Sequence, residues 1–355
     1  MQATTVSRKD IWLHSPKFDL TFLIGSAVLA AVPLALYYVF GVSTTWINYL
    51  VAAIVGGPHL YSTYGITFMD GNFRKNYPAI LWPSLIIPPI VFWLATHNLT
   101  LLITMFFFWA SVHVLHQLSY IADCYRHKDP RPRSIWNRVV DYGLIFTGLY
   151  PLATFKLVAG EFYVANRVLP VPEFMKQPWL PYVVLGLFLF FLGAFIFKTV
   201  KEWRENRFNL ASTLLISTTT VVSLLIPTFS NLDVAFQGYN TWHSFQYLAL
   251  VWLILKLRRE YGELDNKMMV KVAEARRPWR FYGMNLGFTA AAVGLILFLK
   301  NIVGFGHEQA YYSVVLGSLL IHYYLDHFNF TRFGQIVRDP PPREWAQYAG
   351  ERAAA

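Results

Sequence analysis

Residues 179–200 read WLPYVVLGLFLFFLGAFIFKTV, an apolar run in which Lys198 is the only charged side chain. A helix of about 20 mostly apolar residues crosses the hydrocarbon core of a membrane. Residues 18–40 form another run of this kind, and several more follow along the chain. These runs predict a polytopic integral-membrane protein of the all-α class.

The composition agrees with this interpretation. Of the 355 residues, 55% are hydrophobic, 17% are aromatic and only 14% are charged, whereas about a quarter of the residues in a soluble domain are charged. This balance excludes a secreted disulfide scaffold, a disordered chain and an ordinary cytosolic enzyme. The single cysteine, Cys124, can form neither an internal disulfide nor a cysteine-rich zinc site.

Apolar runs separated by charged breaks predict about ten transmembrane helices. We expect one transmembrane domain over residues 1–355, with a helical bundle at 18–330 and tails at 1–17 and 331–355. The predicted spans are 18–40, 46–68, 79–96, 99–121, 139–158, 179–200, 208–229, 237–255, 281–303 and 310–330.

The basic residues predict the orientation. If the spans alternate in direction, one side of the membrane receives all of the 30 lysines and arginines except Lys156, Arg167, Lys176 and Lys300. Cytoplasmic loops carry the excess of such residues, so we expect both termini in the cytoplasm and the protein in a bacterial inner membrane. The net charge of +10 is then explained by topology and anionic lipid headgroups, without a nucleic-acid partner.

Histidines dominate the ionisable residues inside the predicted spans. An ionisable side chain at this depth costs at least a few kcal/mol, which makes each one a candidate for function. The spans concerned are the second, fourth, eighth and tenth, which all run in the same direction. We therefore expect their histidines to converge in the cytoplasmic half of the bundle. They are His59, His113, His116, His243, His322 and His327.

The fourth span carries a potential chelating pair. His113 and His116 stand three residues apart, so they lie on one helix face and can bind one metal ion. Asp123 follows on that face about 10 Å further along the helix, at 1.5 Å per residue. It would suit a second metal ion, a hydrogen bond to a ligand, or a proton path.

The tenth span ends in a second group. His322 and Asp326 stand four residues apart and face together, whereas His327 points about 100° away from Asp326. We expect His322 to be a metal ligand. Asp326 would be a ligand or the carboxylate that orients a histidine, and His327 would complete the set.

The eighth and second spans each add one histidine. His243 shares a helix face with Gln246 and Tyr247, whose side chains could hydrogen-bond a ligand or take part in catalysis. In the second span Pro58 removes a helix hydrogen bond directly before His59, which predicts irregular backbone there. Irregular backbone at membrane depth is tolerated where it is buried in protein or lines a cavity, so His59 is expected to face the interior.

Imidazole and carboxylate ligands suit iron, zinc, copper or nickel. The histidines with Asp326 exceed the need of one tetrahedral zinc ion, so we favour one or two iron ions.

Three segments carry most of these candidate ligands. They are His113-x-x-His116, Trp242-His243 and His322-x-x-x-Asp326-His327. They resemble the histidine-rich integral-membrane di-iron enzymes, namely desaturases, hydroxylases and alkane monooxygenases, although the HxxHH box of that family is missing. The scattered intramembrane histidines also resemble those of polytopic bacterial carotenoid-cleaving oxygenases. Both resemblances imply iron and O2.

The leading hypothesis is therefore a membrane metalloenzyme that oxidises a lipid-soluble substrate with O2 and with electrons from a donor at the basic cytoplasmic face. Two other classes remain open. Two histidines could be the axial ligands of a haem in an electron-transfer protein. Alternatively, intramembrane histidine and aspartate side chains could form the proton relay of a transporter.

Overall fold

The computed structural model describes residues 11–129, 131, 134–160, 163–164 and 167–337. Within these residues the chain is almost entirely helical, which confirms the all-α class. The longer helices are α1 (Pro16–Tyr38), α2 (Thr44–Val51), α3 (Gly57–Ile66), α4 (Gly71–Asn76), α5 (Pro78–His97), α6 (Leu99–Lys128), α7 (Ile135–Gly148), α8 (Tyr150–Val158), α9 (Leu180–Arg204), α10 (Leu210–Thr228), α11 (Leu232–Glu260), α12 (Lys267–Val272), α13 (Pro278–Val303) and α14 (His307–Asn329).

The remaining ordered elements are short. Strands β1 (Tyr163–Val164) and β2 (Arg167–Val168) pair antiparallel between α8 and α9. A π-helical turn, Ala52–Gly56, joins α2 to α3, and 3-10 turns form at Glu173–Lys176 and Phe333–Gln335.

Six helices in the described part of the chain are long and apolar enough to cross a membrane: α1, α5, α6, α9, α10 and α13. These six helices support the prediction of a membrane protein, whereas the number of ten spans remains a prediction. The four other predicted spans lie on the helices α2 with α3, α7 with α8, α11, and α14. The orientation of the termini is also still a prediction, and residues 1–10 and 338–355 lie outside the described residues.

Helix α9 has the surface expected of a lipid-facing span. Trp179 precedes its first residue and Trp203 lies in its last turn, and both side chains are exposed. They are separated by about 36 Å at 1.5 Å per residue. Tryptophan is enriched at both membrane–water interfaces, so this spacing suits one anchor at each surface.

Within the described residues, the chain folds as two compact units. The first comprises Met1–Asn48 and Ile103–Gln246. In this unit α7 packs against α9, and a buried ion pair joins Asp141 to Lys198. A Cβ atom on Gly238 would lie 2.5 Å from the carbonyl oxygen of Ala30, so glycine allows α11 to approach α1 closely.

The second unit comprises Tyr49–Leu102 and Tyr247–Ala355. Helix α3 packs against α13 and α14. A Cβ atom on Gly57 would lie 2.5 Å from the side chain of Thr289, so glycine permits the close packing of α3 on α13. Beyond α3, a buried ion pair of 2.5 Å joins Asp70 to Arg258. These contacts hold α3, which carries His59, inside its unit.

Candidate metal centre

His59 lies shortly after a stretch of irregular helix, as the sequence predicts. Pro58 has no N–H to donate to the carbonyl of Ile54, four residues earlier. The hydroxyl of Tyr282 donates to that carbonyl instead, at 2.7 Å. The π-helical turn Ala52–Gly56 lies at this point, and His59 is buried in the first turn of α3.

His59 pairs with His322 of α14 in the second unit. Their ring centroids are 4.4 Å apart and the rings are nearly perpendicular, at 84°. The ring of Tyr247 packs edge-on against both, with centroids 4.9 Å from His59 and 5.3 Å from His322. The pair is therefore packed on an aromatic side chain that carries a hydroxyl group.

A buried polar network surrounds Nδ1 of His322. The hydroxyl oxygen of Thr63 lies 2.6 Å from this nitrogen and 2.6 Å from the hydroxyl oxygen of Tyr247. Tyr247 donates to Oδ1 of Asp326 at 2.5 Å, and Thr63 lies 3.1 Å from the same oxygen. Asp326 thus accepts hydrogen bonds beside His322, as expected for a carboxylate that orients a histidine.

The first unit holds the second pair, His113 of α6 and His243 of α11. Their ring centroids are 5.1 Å apart with an angle of 82° between the planes. Gln117 donates from Nε2 to Oε1 of Gln246 at 2.8 Å and to the carbonyl of His243 at 3.3 Å. Gln246 donates in turn to the carbonyl of Leu23 at 2.5 Å. Neutral amide groups therefore fix the backbone beside this pair.

The four histidines form one group. All are buried, and each offers a ligand atom within 4.8 Å of those of the other three. A metal–imidazole bond is about 2.1 Å long, so two nitrogens on opposite sides of one ion are about 4.2 Å apart. The group is close to that size, and four buried histidines at this separation could hold a metal ion.

The other predicted ligands lie outside this group. His116 is half-buried on α6, and His327 is exposed at the end of α14. The carboxylate of Asp123 is bound by Arg126, by Arg138 at 2.8 Å and by the hydroxyl of Tyr142 at 2.7 Å. These hydrogen bonds and ion pairs engage Asp123 in its own network at the end of α6.

Two supporting residues were missed by the sequence analysis. Thr63 stands four residues after His59, and Gln117 stands four residues after His113. In a helix this spacing places each on the face of its histidine. A search for polar residues one turn after each candidate ligand would have found both.

Comparison with known proteins gave no match. No protein-family model, no curated protein and no solved structure matches the chain. The resemblance to membrane iron oxygenases therefore stays a prediction.

Proposed function

We propose that this protein is an integral-membrane metalloenzyme in which His59, His113, His243 and His322 bind a single iron ion. The observation that carries the proposal is the group of four buried imidazoles with ligand atoms within 4.8 Å of one another. Imidazole nitrogens bind iron, copper, nickel and zinc, and these four imidazoles lie close enough together to share one ion. A shared metal ion accounts for their convergence.

The need for an open coordination position favours iron over zinc. Four protein ligands complete the tetrahedral shell of a structural zinc ion, which leaves no position for a reactant. Iron accepts up to six ligands, so four imidazoles would leave two positions open. The compact group also suits one ion better than the two ions of a dinuclear centre, which lie about 3.5–4 Å apart.

The reaction we propose is the oxidation of a lipid-soluble substrate, such as an acyl lipid, a sterol-like lipid, an alkane or a carotenoid. An iron ion supplies one-electron chemistry with O2. The protein supplies the four ligands, the hydrogen bonds of Thr63 and Asp326 that orient His322, and buried surroundings that exclude water. An external electron donor would dock at the basic cytoplasmic face.

The geometry favours a bare ion over haem. A porphyrin occupies four positions around its iron and leaves two axial positions for histidine. In this structure all four imidazoles approach one another within 4.8 Å. If two of the imidazoles were the axial ligands of a haem, about 4.2 Å apart, the other two would lie in the space that the macrocycle has to occupy.

Metal analysis of the detergent-purified protein tests the binding step. We expect about one iron per chain in the wild type, and its loss in His113→Ala and in His322→Ala, because each variant removes one of four ligands. His116→Ala and His327→Ala are matched controls, since each lies on the same helix as a ligand but outside the group. Retention of iron by either ligand variant, or a folded wild type that repeatedly purifies without metal, would contradict the proposal.

Isotope labelling tests the reaction. Iron-loaded protein with a chemical reductant, ¹⁸O₂ and a total membrane-lipid extract should yield oxidised lipids that the His322→Ala variant does not produce. Mass spectrometry then separates hydroxylation or cleavage, which incorporate ¹⁸O, from desaturation, which removes two hydrogens. Identical lipid profiles for the two proteins would rule out oxidation of the lipids in the extract.

A further inference from the structure

The hydroxyl group of Thr63 lies at the centre of the network beside His322. Its oxygen is 2.6 Å from Nδ1 of His322, 2.6 Å from the hydroxyl oxygen of Tyr247 and 3.1 Å from Oδ1 of Asp326. Thr63 is fully buried in α3, one turn after His59. A buried hydroxyl group has a single hydrogen to donate, so these three contacts constrain one another.

Counting hydrogens assigns a direction to the network. Tyr247 donates its one hydrogen to Oδ1 of Asp326 at 2.5 Å. The short contact between Thr63 and Tyr247 then requires the hydrogen of Thr63, which also points toward Asp326. Since Thr63 has no hydrogen left for His322, Nδ1 of His322 must be the donor. The resulting chain runs from His322 to Thr63, then to Tyr247, and ends on the carboxylate.

One further contact supports this direction over its reverse. In the reverse chain a neutral Asp326 would donate to Tyr247, and Nδ1 of His322 would accept from Thr63. However, Oδ2 of Asp326 lies 3.4 Å from that same nitrogen. This approach is attractive when Nδ1 carries a hydrogen, and it is repulsive when both atoms present lone pairs.

We propose that Thr63 is a positioning residue that holds His322 in the tautomer with its proton on Nδ1, so that Nε2 is the ligand atom. The consequence for the metal rests on the proposed function, because it requires an ion at the histidine group. The tautomer itself does not, since it follows from the hydrogen bonds among His322, Thr63, Tyr247 and Asp326. Hydrogen bonds from a ligating histidine to such partners commonly change metal affinity by about 10- to 100-fold.

Substitution of Thr63 provides the test. Thr63→Val keeps the shape of the side chain but removes the hydroxyl group, and Thr63→Ser restores it. Thr67→Val is the matched control, because Thr67 is buried one turn later and donates to the backbone carbonyl of Thr63, away from His322. All three substitutions change a buried hydroxyl residue, but only Thr63→Val removes the proposed acceptor.

The first measurement is the ¹⁵N spectrum of histidine-labelled, metal-free protein in detergent, with the His322 signal assigned from its loss in His322→Gln. We expect a protonated Nδ1 in the wild type, in Thr63→Ser and in Thr67→Val, and loss of this single tautomer in Thr63→Val. A wild-type His322 protonated on Nε2, or a Thr63→Val spectrum identical to that of the wild type, would overturn the proposal. This measurement decides the inference even if the wild type binds no iron.

The second measurement is Fe(II) affinity by competition with a chelator. We expect a loss of about 10- to 100-fold in Thr63→Val, recovery in Thr63→Ser and no change in Thr67→Val. Equal affinity in Thr63→Val and the wild type would show that iron binds without help from Thr63. Absence of iron binding in the wild type would instead refute the proposed function.

Discussion

The two histidine pairs share a geometry but differ in their support. Both pairs pack with nearly perpendicular rings, at 84° for His59 with His322 and at 82° for His113 with His243. The first pair lies beside a carboxylate and two hydroxyl groups, whereas the second lies beside neutral amides that bind backbone carbonyls. A carboxylate near a ligating imidazole raises its basicity, while an amide bound to backbone fixes the position of a helix.

This difference implies a division of roles. Hydrogen bonds around His322 act on a ring nitrogen and should tune its affinity for the iron ion that we propose. Those around His243 act on its carbonyl group and should hold α11 in place. Variants on the two sides should therefore separate metal affinity from stability.

The largest expected effect follows replacement of the carboxylate. Asp326→Asn keeps the size of the side chain but replaces the carboxyl group that accepts from Tyr247 and Thr63 by an amide. We expect iron affinity to fall by about 10- to 100-fold, measured by chelator competition. An affinity within twofold of the wild type would mean that Asp326 does not support a metal ligand.

A smaller effect, mainly on stability, is expected in the first unit. Gln117→Leu removes the donor to Gln246 and to the carbonyl of His243. Leaving buried acceptors without a donor costs about 1–3 kcal/mol, so the thermal unfolding midpoint in detergent should fall. Iron affinity should change less than in Asp326→Asn. The reverse order of the two variants in affinity would contradict the division of roles.

The smallest effect is expected for Tyr247→Phe. This variant keeps the ring that packs on His59 and His322 and removes only the hydroxyl group. Thr63 can still donate directly to Asp326, so the loss should be about 0.5–1.5 kcal/mol, which corresponds to less than about tenfold in iron affinity. A loss as large as that of Asp326→Asn would show that the hydroxyl of Tyr247 is the essential link.

The helical class and the core of the site were predictable because both depend on local patterns. Long apolar runs specify membrane helices, and histidines inside such runs are conspicuous. The count of ten spans is not established, in part because α11 and α14, which carry His243 and His322, also carry polar residues. Helix α14 is 23 residues long, yet His322 and Asp326 make it less apolar than α9 or α13.

The positions of the other predicted ligands depend on helix faces and tertiary partners. His113 and His116 lie about 60° apart around α6, and sequence spacing does not indicate which of them meets α11. His327 is about 140° from His322, which explains its exposed position. Asp123 is bound by Arg138 of another helix, and such tertiary partners have no signature in local sequence.

The most direct test of the central claim is X-ray absorption spectroscopy of the iron-loaded, purified protein. We predict a single iron with about four imidazole nitrogens at about 2.1 Å, and about three in a His113→Ala sample reloaded at high iron concentration. An iron–iron distance of about 3.5–4 Å, a porphyrin signal, or a spectrum unchanged by His113→Ala would contradict a mononuclear site built from these four histidines.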